Sequence, residues 1–108
     1  DGVYEENASR WSCLNANAAG SMCSITYDFM DPVDLNSILI SFYLGDERVR
    51  SLDVYINGES VGIFTSSGTT AGLEEYIVNE ASVSSVQLVA NDLGTGWISI
   101  KETMFYVS

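Results

Sequence analysis

The sequence predicts an all-β fold, an antiparallel β-sandwich. Three observations carry that expectation. About seven short stretches alternate apolar and polar residues with the period of two that a strand imposes. No long window shows the 3.6-residue periodicity of an amphipathic helix. Between two of the alternating stretches stands Asn57-Gly58, the strongest short hairpin signal.

Taken in order, Asp1 to Trp11 holds Asp1, Glu5, Glu6, Asn7 and Ser9, a density of oxygen donors that reads as a loop. Cys13 and Cys23 bracket the small, polar segment Leu14 to Met22. Ser24 to Phe29 is a strand with Ile25, Tyr27 and Phe29 on one face, and Met30-Asp31-Pro32-Val33-Asp34 is a turn around the single proline. Ser37 to Leu44 is apolar enough for a central strand. Gly45-Asp46-Glu47-Arg48 is a loop, followed by the hairpin of Leu52–Ile56 and Ser60–Phe64. A Ser/Thr/Gly stretch, Thr65 to Thr70, leads to strands at Leu73–Val78 and Val83–Ala90, the latter with one slip at Ser84-Ser85. Asn91 to Gly96 is a loop, and Trp97 to Tyr106 is the closing strand.

At 108 residues the chain forms one domain, large enough to bury its own core. Fifteen acids against four bases give a net charge of −11, so no basic patch exists for nucleic acid or an anionic membrane surface. No apolar run approaches the roughly 20 residues that span a bilayer. No signal peptide is visible, and the chain reads as a mature or excised module, monomeric and part of a larger multidomain protein. The absence of histidine excludes a Ser-His-Asp triad and a zinc site of the usual kind. In a secreted, extracellular setting Cys13 and Cys23 would form a disulfide, stabilising by roughly 3 kcal/mol through loop entropy; the alternative is two buried thiols in a reducing compartment.

In the closing strand the row Ile98, Ile100, Glu102, Met104, Tyr106 is mostly apolar and reads as the core side. A carboxylate on such a row is costly unless paired or bound to a cation. Glu102 is therefore expected to close a calcium site with the oxygen-rich N-terminal segment; the competing expectation is a Glu102–Arg10 ion pair.

Five motifs in register resemble a known family: Ser9-Arg10-Trp11-Ser12; Ile25-Thr26-Tyr27-Asp28-Phe29; Gly45-Asp46-Glu47-Arg48 with Leu52-Asp53-Val54; Ser66-Ser67-Gly68-Thr69-Thr70; and Trp97-Ile98-Ser99-Ile100-Lys101-Glu102. Together they resemble the discoidin-like (F5/8 type C), galactose-binding-like sandwich, and most of all the family 32 carbohydrate-binding modules attached to alginate lyases and other polysaccharide-degrading enzymes. The resemblance implies a non-catalytic jelly roll with a structural Ca2+, held by Asp1, Ser9 and Glu102, by Glu6, and by the carbonyls of Val3 and Lys101. Calcium accepts six to eight oxygens in irregular geometry, which suits such a mixed set.

A sugar site in these modules lies among the loops at one end. Trp97 and Tyr43 are the candidates for stacking on sugar C–H faces, and Asp46, Arg48 and Asn91 for directional hydrogen bonds. Arg48 suits a uronate carboxylate, which its planar fork binds bidentately. Each has a plainer reading: Trp97 packs under a loop, Tyr43 joins the core, and Arg48 pairs with its acidic neighbours in solvent. The acidic balance opposes a polyanionic ligand, but charges beyond about 8 Å are screened in physiological salt. The expected ligand is a polysaccharide, best alginate or another acidic algal polymer. The alternative is a discoidin-type adhesion or protein-interaction domain. Glu5-Glu6 and Glu74-Glu75 cannot serve as a glycosidase pair, because neighbours on a strand face opposite ways, and no enzyme activity is expected.

Overall fold

The computed structural model describes the backbone of residues 2–6, 11–15, 24–43, 45–47, 49–90 and 96–108, and the side chains of 24–43, 45–47, 49–90 and 99–108. Among the described residues there are seven strands and no helix: β1 (Gly2–Glu6), β2 (Trp11–Asn15), β3 (Ser24–Phe42), β4 (Ser51–Ile56), β5 (Glu59–Thr65), β6 (Leu73–Ala90) and β7 (Gly96–Val107). All pairings are antiparallel, in the order β1-β7-β3-β6-β4-β5, with β2 also on β7.

Two strands belong to both layers. The first half of β3 (Ser24 to Asp28) pairs with the end of β6, whose other neighbour is β4. The second half of β3 (Ser37 to Ser41) pairs with the start of β6, and its other neighbour is β7. Between the halves the register shifts three times, and Asn79 and Ser82 on β6 take positive φ (50° and 53°). These irregularities fold the long β3–β6 hairpin over on itself. The expected turn at Met30 to Asp34 is thus a bend inside one strand, and the expected strands Leu73–Val78 and Val83–Ala90 are two halves of β6. The slip read at Ser84-Ser85 falls in this bend.

The fold places Tyr27 and Phe29 over Phe105, with ring centroids 5.3 and 5.2 Å apart in edge-to-face geometry. Since β3's first half does not pair with β7, these contacts cross the core between the layers. There Ile38, Ile40, Phe42, Leu52, Val54, Val86, Leu88 and Phe105 are almost completely buried. Burying each such side chain stabilises the fold by roughly 1.5–3 kcal/mol before entropy is counted. The one hydroxyl pair in this layer is satisfied internally: the Tyr27 phenol donates to Thr103 Oγ1 at 3.0 Å.

Two further expectations are corrected. Residues 2–6 are not loop but strand, with Gly2 opposite Val107 and Glu6 opposite Thr103. The core row of the closing strand also changes at Lys101. Ser41 pairs with Glu102 but Phe42 with Ile100, so Lys101 is the extra residue of a bulge. One added residue exchanges the faces. Beyond it Thr103 (2% exposed) and Phe105 (0%) enter the core, while Glu102 is half-buried on the outer face and Tyr106 is 39% exposed.

Candidate functional site at the loop-bearing end

Because β3 doubles back, the ends of β2, β3, β5 and β6 and the starts of β3, β4, β6 and β7 all lie at the same end of the sandwich. The other end holds the Asn57-Gly58 turn, with φ of 52° and 85° as a type I′ hairpin requires, together with the β3–β6 bend.

Within the open end, Tyr43 follows directly on β3, is 37% exposed, and donates its N–H to the Ser99 carbonyl at 2.9 Å. It is therefore not a core residue. Trp97 lies two residues before Ser99, opposite Leu14, so the backbone brings Tyr43 and Trp97 to one end of the molecule. Asp46 and Glu47 are exposed on the same loop as Tyr43. Arg48 and Asn91 lie outside the described residues.

The connection 66–72 is fastened to its neighbour. Ser66, 3% exposed, donates its N–H to the Arg50 carbonyl and accepts the Arg50 N–H on Oγ, both at 2.8 Å. Ser67 N–H donates to Glu74 Oε1 at 2.8 Å. Glu74 Oε2 is buried and has no hydrogen-bond partner among the described residues, whereas Glu75 is exposed and accepts from Ser37 Oγ at 2.7 Å. The two carboxylates reach different partners, as their opposite orientation dictates. Beside them Phe64 stacks on Tyr76 at 4.7 Å, closing this edge of the sandwich. Burial, with a smaller push from the Glu74 charge, raises the Tyr76 phenol to about 12. The bond from Glu74 to the 66–72 loop and the Arg50–Ser66 clasp are not legible in the sequence, although the Ser66 to Thr70 motif marks the place.

For the expected metal site, the register is informative. Glu6 stands opposite Thr103 and Trp11 opposite Ile100, so the end of β1 and the start of β2 flank Lys101-Glu102 on β7. No hydrogen-bond or ion-pair partner of Glu102 is found among the described residues. Val3 does not fit: it stands opposite Tyr106, four residues and about 13 Å along the strand from Glu102, whereas two ligands of one calcium lie within about 5 Å. Asp1 and Ser9 lie outside the described residues, as does Cys23; of Cys13 and Glu6 only the backbone is described. Among the described residues no three acidic or cysteine side chains gather as a metal cluster.

No family model matches the sequence, and no curated protein does. Among solved structures, the chain is similar to the CBM32 of AlyQ in complex with 4,5-unsaturated mannuronic acid, with a TM-score of 0.75 and 22% identity over 97% of this chain and 93% of that one. It is similar also to truncated AlyQ with CBM32 and alginate lyase domains (TM-score 0.74, 22% identity, 99% of this chain), of which it spans 32%. Carbohydrate-binding module CBM36 in complex with calcium and xylotriose aligns over 100% of this chain and 89% of its own at TM-score 0.54 and 16% identity. The chain has the β-sandwich fold of carbohydrate-binding modules.

Proposed function

We propose that this chain is a non-catalytic, family 32-like carbohydrate-binding module that holds a secreted parent protein on polysaccharide. The observation that carries the reading is the near full-length match to a module solved with an unsaturated mannuronic acid bound. Its support from the chain itself is the open end, where an exposed aromatic ring, carboxylates and hydroxyls sit on loops held by a rigid core. The ligand we favour is alginate or another acidic algal polysaccharide, with Tyr43 and Trp97 stacking on sugar faces and Arg48 taking the uronate carboxylate. Asp46 and Asn91 accept from and donate to hydroxyls.

A structural Ca2+ belongs to the same reading. Glu102, the Lys101 carbonyl and Glu6 would hold it, with Ser9; Asp1 is dropped with Val3, since its neighbour Gly2 stands opposite Val107, further still from Glu102. When bound, the ion neutralises carboxylates and ties the N-terminal strands to β7. Chelation is then expected to lower the melting temperature, and added calcium to restore it. Equal melting curves with and without chelator would remove calcium from the account.

The binding test is calorimetric titration with oligoalginate and, separately, with neutral galacto-oligosaccharide. The parent is expected to bind oligoalginate, and Trp97→Ala or Arg48→Ala to weaken it roughly tenfold or more, the loss typical of a central contact, at unchanged melting temperature. Variants that bind like the parent would place the site elsewhere. A parent that ignores both sugars but retains a protein partner would favour the adhesion reading.

A further inference from the structure

The loops 43–50 and 66–72 are joined by contacts that no strand pairing requires. Gly45 is buried, and a Cβ there would run into the backbone carbonyl oxygen of Thr70, with the Phe42 carbonyl oxygen 3.1 Å away. The constraint is space: any side chain at Gly45 must push the two loops apart. A second tie is the reciprocal Arg50–Ser66 pair; the Ser67–Glu74 bond in turn pins the 66–72 loop to the start of β6. This bond comes at a cost, since Glu74 keeps one carboxylate oxygen buried with no partner among the described residues, which destabilises a fold. A neutral side chain would serve stability better.

We propose that Gly45 and Glu74 are positioning residues for glycan binding. Gly45 lets the two loops meet and Glu74 pins the second of them to β6, so that together they form one preformed wall from which Tyr43, Asp46, Ser67 and Thr69 meet the sugar. This rests on the carbohydrate-binding reading above. All four presenting residues are exposed. The hydroxyls of Ser67 and Thr69 are already ordered, 2.9 Å apart, with the Thr69 N–H donating to Ser67 Oγ at 3.2 Å. A wall set before the ligand arrives removes the ordering cost of loop side chains.

The experiment titrates oligoalginate and neutral galacto-oligosaccharide into the parent, Gly45→Ala, Glu74→Leu, Glu74→Gln, and Val83→Ala as a core control far from the loops. Gly45→Ala and Glu74→Leu are expected to lose roughly tenfold or more in affinity as preorganisation is lost. Glu74→Gln retains the Oε1 acceptor for Ser67 and is expected to bind within about twofold of the parent. Val83→Ala is expected to melt earlier yet bind normally. Amide exchange in the ligand-free protein supplies a second measurement: Ser67 is protected in the parent and in Glu74→Gln, and exchanges freely in Glu74→Leu. Unchanged affinity in Gly45→Ala and Glu74→Leu, an equal loss in Val83→Ala, or an unprotected Ser67 in the parent each overturns the assignment. A parent that binds neither sugar overturns the carbohydrate reading and this role with it. A protected Ser67 with indifferent variants overturns this role alone.

Discussion

At the bend end of the sandwich the Asn57 side chain donates to the Ser82 carbonyl and accepts the N–H groups of Ser84 and Ser85, while Asp34 accepts the N–H of Ser82. At the open end Asp46 and Glu47 stand in solvent, and the 66–72 loop bonds both inward, from the Ser67 N–H to Glu74, and within itself, from the Thr69 N–H to Ser67 Oγ and the Gly72 N–H to Thr70 Oγ1. Both ends are rich in small polar residues. The difference is one of degree: the bend end ties Asn57 and Asp34 to a neighbouring segment and closes, while the open end keeps the carboxylates of Asp46 and Glu47 in solvent beside a loop that bonds mainly to itself. Polarity in a turn is therefore no guide to a site until its hydrogen bonds are traced.

The comparison can be broken most severely from the middle. Phe105 contacts Tyr27 and Phe29 across the core, so Phe105→Ala is expected to cost about 3–5 kcal/mol and to disorder both ends together. Denaturant unfolding measures the loss; a cost below about 1 kcal/mol would mean that the core closes without it. The asymmetry itself is sharpest at Asn57. Asn57→Ala removes the side-chain bonds and leaves an alanine at φ 52°, for an expected cost of about 2 kcal/mol with glycan affinity unchanged. A fall in affinity there would show that the ends are coupled.

The smallest effect concerns pH. The Tyr76 phenol is raised from its ordinary 10.0 to about 12, so above pH 10 the unfolded chain sheds that proton before the folded one does. Stability is then lost progressively between pH 10 and about 12, and is fully present below that window. Tyr76→Phe is expected to flatten the decline, while an identical alkaline melt in parent and variant would assign it to other groups.

Much of the fold was legible because strand period and turn chemistry are local. Asn57-Gly58 takes the positive φ values its residue types favour, and Ile38, Ile40 and Phe42 are as buried as their run suggested. The bend was located but misread: Asp31, Pro32 and Asp34 signal a departure from regular strand, yet nothing local says whether a chain turns back or changes layer. The bulge at Lys101 was not legible at all. It holds no glycine, and both rows of the closing strand contain apolar residues, so only the register against β3 reveals which row faces inward. The reasoning about Glu102 inherited that ambiguity. Its half-buried place on the outer face replaces the strict need for neutralisation with a suitable position beside the N-terminal strands. Glu74 was missed because its role depends on a loop that folds back over it.

A hairpin that contributes to both layers leaves no seam along which the domain can come apart in stages. Peeling β4 and β5 away would pull on β6, whose other half lies in the opposite layer, and freeing β7 would pull on β3 in the same way. Loss of structure should accordingly run as a single cooperative step with coincident optical and calorimetric transitions. For a domain under load, that is resistance to gradual fraying: it lets go of its shape all at once or keeps it.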